Sequence, residues 1–223
     1  MPTTTMVCLA NSRKGGGRCI AGLAWVGNDH WDWIRPVSTH GTGELNFERL
    51  YEDGTDPQLL DLIDLSLLQP KPLGCHAEDI IVDSTRRWQK QAHLTYQEAL
   101  ELIPMASTSL WINGKSTSHG HNDGIDEWKA ARLKTSLKLI CPEKLTMTAT
   151  AEHHNKRKVR GEFRLRNSSY KLTITDPCIE SEFSHYHLGA ERVTRNPLLC
   201  ISIGLVFEQT KACYKLIAGV MEE

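Results

Sequence analysis

No stretch of the 223-residue chain is apolar for long enough to cross a bilayer as a helix. The longest apolar run, Leu198 to Val206, is strand-sized, and Met1 to Leu9 has neither the basic start nor the long apolar core of a signal peptide. The cytosol is therefore the expected compartment, with no membrane partner. No two cysteines have C-x-x-C spacing, and the seven (Cys8, Cys19, Cys75, Cys141, Cys178, Cys200 and Cys213) make an odd count. Most stand in apolar strand-like runs, the pattern of reduced, buried thiols, so a disulfide framework is excluded. Nor is there a surplus of charge. The net value of −1 gives no bulk attraction toward an anionic partner.

Catalytic signatures are missing as well. There is no G-x-S-x-G and no G-x-x-x-x-G-K-[ST]. Cys19 and Cys213 sit among apolar neighbours and read as inert, so no catalytic residue is assigned. His119 and His121, His153 and His154, and His185 and His187 form close pairs without a further zinc ligand at a recognised spacing. Neither a metal nor a cofactor is expected.

What is present is mostly strand. Met6–Ala10, Cys19–Trp25 and Trp31–Val37 are strand-like. Leu59–Leu68 is compatible with helix or strand, and flanking Pro57 and Pro70 favour a strand. Thr95 and Glu98 form a capping box that opens a helix stopped at Pro104, and a second short helix starts near Asp126. From Thr135 onward the chain turns to strands: 136–140, 145–151, 159–166, 170–175, 198–203 and 212–221. The expected fold is mainly β with a few helices. A first unit over 1–135 carries the helical insertion, and a second covers 136–223. With no long linker between them, the two are expected to pack directly.

Charge is distributed unevenly. Seven acids between Glu44 and Asp64 face one base, Arg49, which makes this segment a candidate protein contact. Between Lys156 and Lys171, seven bases face one acid, Glu162. Within that stretch, alternation places Val159, Gly161, Phe163 and Leu165 on one face, and Arg160, Arg164 and Arg166 on the other, joined by Lys171 from the returning strand. Guanidinium forks suit phosphate oxygens, although a half-covered sheet shows the same pattern on its wet side. Phe163 and Tyr170 fall on the apolar face, which weakens base stacking at this hairpin.

Two other features suit a nucleotide. Asn11-Ser12-Arg13-Lys14, three glycines and Arg18 have the composition of a phosphate cradle, and equally of a basic hairpin tip. Trp33-Ile34-Arg35-Pro36-Val37-Ser38 and Trp111-Ile112-Asn113-Gly114 each set tryptophan beside hydrogen-bonding groups, as a base pocket or as ordinary core. Asp176 before Pro177 reads as a cap at a strand-to-turn transition.

The blocks Val7–Lys14, Arg18–Gly22, Trp33–Ser38, Leu110–Gly114, Tyr170–Pro177, Leu199–Gly204 and Cys213–Ala218 resemble the bacterial dual OB-containing domain family over essentially the whole chain. The resemblance implies two oligonucleotide/oligosaccharide-binding barrels in tandem, packed side by side. Its fold suggests a nucleic-acid or nucleotide partner. On that basis the polar residues of the blocks, Asn11, Ser12, Arg13, Lys14, Arg18, Arg35, Ser38, Asn113 and Asp176, with Trp33 and Trp111, are expected to line a basic cleft between the barrels. Two alternatives stand beside this binding module. One is an enzyme acting on nucleic acid or nucleotides, using Asp176, Asn11 or a histidine in the same cleft; the other is a protein adaptor using the acidic 44–64 segment or an exposed hydrophobic patch.

Overall fold

The structure is a computed structural model that describes residues 3–26, 30–152 and 156–223. The first unit contains β1 (Thr3–Lys14), β2 (Gly17–Trp25), β3 (Trp31–Val37), β4 (Asp61–Pro70), β5 (Asp79–Val82) and β6 (Gln89–His93). They run in the order β1-β2-β3-β5-β4-β6, and β4 returns to pair with β1 from Thr3↔Ser66 to Val7↔Leu62. That return closes a five-stranded barrel, with β3 and β5 its parallel pair. The barrel is the OB architecture expected from the resemblance.

The segment after β6 holds the predicted helix as α1 (Tyr96–Ala99), continued by a 3-10 turn to Met105. Both halves of its capping box form: the Thr95 side chain accepts from the Glu98 amide, and Glu98 accepts from the Thr95 amide. Then come β7 (Gly124–Asp126), α2 (Glu127–Ala130), β8 (Leu137–Ile140), β9 (Lys144–Glu152), β10 (Lys156–Leu165) and β11 (Ser168–Ile174). Finally α3 (Pro177–Ser184), β12 (Glu191–Arg195), β13 (Leu198–Ile203) and β14 (Ala212–Met221) complete the chain. The second sheet is ordered β12-β9-β10-β11-β14-β13-β8, and β7 adds to β14. Its parallel pair, β11 with β14, is the counterpart of β3 with β5. This sheet stays open. β9 takes β12 on its outer edge and β13 takes β8, so no ladder joins β9 to β13 among the described residues.

The continuous apolar runs follow from burial on both faces. In β1, Met6 and Cys8 point into the first barrel's core with Ile20, Ile34, Ile63 and Trp88. Val7 and Leu9 point the other way, into a core shared with Leu137, Leu139, Leu198, Cys200, Ala218 and Met221 of the second unit. Where β14 crosses β1 the backbones approach so closely that a Cβ on Gly219 would lie 2.3 Å from the Leu9 carbonyl oxygen. The units meet through a filled apolar core. The cleft expected between the barrels from sequence is filled, among the described residues, by this core where β1 meets β8, β13 and β14.

A buried polar clamp adds to that core. The fully buried Arg35 donates from Nη1 to Asp79 at 2.9 Å, and from Nη2 to the hydroxyls of Ser136 (2.8 Å) and Ser202 (3.3 Å) in the second unit. Glu78 accepts from the Ser136 amide and hydroxyl at 3.0 and 2.6 Å, and His76 Nε2 donates to the Ile203 carbonyl at 2.8 Å. Among the described residues no helix is long and apolar enough to cross a membrane.

Candidate ligand cleft

A concavity of about 890 Å³ lies between the 106–108 segment and the β9-β10-β11 part of the second sheet. One wall is Ala106–Thr108, held along β8 by the Ser107 amide on the Leu139 carbonyl at 2.6 Å, together with Cys141 and Glu143. The other wall is the start of β9, the end of β10 and the tight turn into β11. Leu165 pairs with Ser168, so Arg166 and Asn167 make a two-residue turn, with Arg166 at φ +52°. The alternation read from sequence holds here. Val159, Gly161, Phe163 and Leu165 are buried, while Arg164 and Arg166 are exposed.

Three cations stand on this rim: Lys144, Arg164 and Arg166. None of them makes an ion pair among the described residues. Glu162 also lines the cleft, but Lys171 neutralises it at 2.5 Å. Glu143 is the remaining acid. The floor includes Phe163 and Tyr170, stacked with centroids 5.2 Å apart. Unpaired guanidinium groups over an apolar floor with Ser107 and Ser169 at the edge suit a phosphate-bearing organic ligand.

A loop buttresses the floor. Lys215 is buried, and its ammonium donates to the Ile112 carbonyl (2.7 Å), Asn113 Oδ1 (3.0 Å) and the Asn122 carbonyl (2.8 Å). Burial pushes its pKa down to about 8, reinforced by Lys138 and opposed by Asp123. Asp123 accepts from the Thr117 amide and hydroxyl at 2.8 and 2.6 Å. A Cβ on Gly120 would sit 1.8 Å from that carboxylate. The 112–123 segment is thus a built loop with its charges satisfied inside.

The residues singled out from sequence fall mostly elsewhere. Arg35, expected to neutralise phosphate, is the buried clamp described above and cannot reach a ligand. Asn11–Arg18 is no loose cradle: β1 runs to Lys14, β2 starts at Gly17, and Arg13 pairs with Arg18 across the hairpin. The Arg13 side chain is tied to Glu180 at 2.7 Å, and its amide to the Thr175 carbonyl at 3.0 Å. Lys14 Nζ donates to the Thr42 carbonyl, and the Arg18 amide to the Leu45 carbonyl. Asn11 Nδ2 donates to the Pro57 carbonyl, buried Ser12 to the Cys19 carbonyl at 3.5 Å, and Ser38 to Glu48 at 2.8 Å.

Trp33 is half-buried against the shared core. Trp111 donates from Nε1 to the Thr135 carbonyl at 2.9 Å, below Lys138. Both tryptophans serve packing. Asp176 is the N-cap of α3, accepting from the amides of Cys178 (2.9 Å) and Val220 (3.1 Å), while burial raises its pKa. Asn113 does reach the region of the cleft, donating to Tyr170 at 2.9 Å and Ser168 at 3.2 Å. Of the basic hairpin face, Arg164 and Arg166 reach the rim and Lys171 holds Glu162. Arg160 instead turns inward, buried 3.9 Å from Asp123. No local pattern marks Lys144: the β9–β10 ladder, which runs to Leu145↔Phe163, brings it beside Arg164.

A second concavity, about 510 Å³, lies on the first unit and has the opposite character. Its walls include Glu52, Asp53 and Asp56, and at its base the fully buried Asp61 accepts from Tyr51, the Gln58 amide, Lys90 and His93 at 2.6–2.9 Å. A bulge on β6 at Gln91 places Lys90 and His93 on the same side of the strand. Burial pushes the Asp61 pKa up, but these four donors outweigh it and hold the carboxyl below its ordinary 3.8. This acidic hollow repels phosphate. Among the described residues no group of three or more His, Cys, Asp and Glu could hold a metal ion; the pair His153 and His154 lies outside them.

A model of the dual OB-containing domain matches residues 4–220. The chain belongs to that family. The match spans both sheets, so the closed barrel and the open one are the two OB units of a single family domain. No curated protein and no solved structure matches the chain. The family fixes the architecture, and the local chemistry of each unit has to argue the rest.

Proposed function

We propose that the protein binds a nucleic acid or nucleotide through its phosphates, in the cleft of the second OB unit. One observation carries this reading: Lys144, Arg164 and Arg166 converge on one rim without an ion-pair partner among the described residues. In OB folds the face of the second and third strands is a common ligand surface, and β10 and β11 hold those places in the open sheet. The acidic hollow of the first unit supports the same assignment by exclusion, since phosphate is repelled there.

Titration of a fluorescein-labelled single strand at rising salt tests the reading. Affinity is expected to fall linearly on a log–log plot as counterions are released. Arg166→Ala is expected to weaken binding and lower the slope by about one. No binding at low salt, or a slope that Arg166→Ala leaves unchanged, removes the proposal.

A further inference from the structure

The rim of the cleft continues into a second basic feature. Asn113, bonded to Tyr170 and Ser168 at the cleft wall, also lines a smaller concavity of about 370 Å³ with Gly114, Lys115, Asp126 and Lys129. Lys115 and Lys129 both reach Asp126, at 2.5 and 3.1 Å. Beyond them, on α2, the Trp128 ring is 60% exposed, the most exposed large aromatic after Phe47. Two cations lie over the ring, Lys129 Nζ 5.1 Å and the Arg132 guanidinium 5.4 Å from its centroid, so a stacking base would take the place of one of them. Lys115, Lys129 and Arg132 outnumber the acids beside them, Asp126 and Glu127.

An exposed tryptophan beside cations is the combination that single-strand binding needs, with a π face for a base and charge for the flanking phosphates. The ground between the two features is firm. The Gly114 amide donates to Asn122 Oδ1 at 2.9 Å, Asn122 Nδ2 donates to the Ser169 carbonyl at 3.0 Å, and Lys215 fixes the loop from below. Gly114 itself, at φ +103°, has open space where a Cβ would stand. The surface from Arg166 past Asn113 and Lys115 to Trp128 is therefore preformed.

We infer that the ligand is a single strand several nucleotides long, running from the cleft across the 113–115 loop to stack a base on Trp128. This inference rests on the phosphate reading of the cleft and narrows it, because a mononucleotide would fill the cleft without reaching α2.

Binding of labelled single strands of graded length, from dinucleotide to dodecamer, tests it with wild type, Trp128→Ala, Trp128→Phe and Arg166→Ala. Affinity should rise with length. Trp128→Ala should weaken the dodecamer about tenfold or more and leave the dinucleotide unchanged, while Trp128→Phe restores most of the loss. Trp128 sits on the surface, so its replacement should not disturb folding, and a circular dichroism spectrum checks this. Affinity independent of length and of Trp128, with Arg166→Ala still weakening it, overturns the inference and leaves the cleft reading standing. Failure of every strand to bind overturns both.

Discussion

The two OB units share a strand order and a parallel pair, yet they differ at a single seam. In the first unit β4 zips onto β1 over five residue pairs and the barrel closes around Trp88. In the second, β9 and β13 hold other partners and the sheet stays open, and its β9-β10-β11 part borders a concavity of about 890 Å³ with basic residues on its rim. The concavity of the closed unit is acidic and centred on a carboxylate already saturated by four donors. On the reading proposed above, closure separates a supporting unit from the ligand-bearing one, although both have the same topology.

That division can be broken at the shared core. Gly219→Val would drive a side chain into the Leu9 carbonyl where β14 crosses β1. A loss of about 3 kcal/mol or more is expected, felt by both units as one transition. Urea unfolding followed by fluorescence and circular dichroism reads it; an unchanged midpoint, or two separated transitions, would show that the units do not depend on this crossing. Arg35→Ala comes next. It leaves Asp79 and Glu78 buried without their cation, at about 3 kcal/mol. Its ligand affinity at saturating folded fraction should keep the wild-type salt slope, since Arg35 touches no phosphate.

A smaller effect sharpens the acidic side of the comparison. Because the folded pKa of Asp61 is depressed below its ordinary 3.8, its contribution to stability is present above that value. It is lost as pH falls through the lower folded pKa. Wild type should therefore lose stability on acidification more steeply than Asp61→Asn, measured by urea midpoints between neutral and acid pH. Equal slopes would mean that Asp61 is not held by its four donors.

Features that depend on near neighbours were legible in the sequence. The capping box at Thr95, the alternation from Val159 to Leu165 and the strand at Asp61–Pro70 all follow from local pattern. So do β1 to β3, β8, β9, β11, β13 and β14, and the dual OB resemblance. The helix after Asp176 carried a usable signal, an aspartate N-cap followed by proline, yet it reads equally as a strand end. β6, Gln89-Lys90-Gln91-Ala92-His93, is wholly exposed and lacks any apolar alternation to reveal it.

The site was harder because it depends on distance. Arg35 looks like a phosphate ligand until Asp79, Ser136 and Ser202 arrive from other elements to bury it. Arg160 looks equivalent to Arg164 until the 112–123 loop delivers Asp123 beneath it. Lys144 gains its place from the pairing of β9 with β10, which sets it beside Arg164. Period-two alternation assigns a side chain to a face; whether that face meets water is decided by the rest of the chain.

Two triple variants set the units against each other most directly: Lys144→Ala with Arg164→Ala and Arg166→Ala in the second, and Arg13→Ala with Lys14→Ala and Arg18→Ala at the hairpin tip of the first. Salt-dependent binding of one labelled single strand should show the slope reduced by about three for the cleft triple and nearly unchanged for the hairpin triple. The reverse ranking, with the hairpin triple abolishing the salt dependence and the cleft triple leaving it intact, would contradict the assignment of phosphate binding to the open unit.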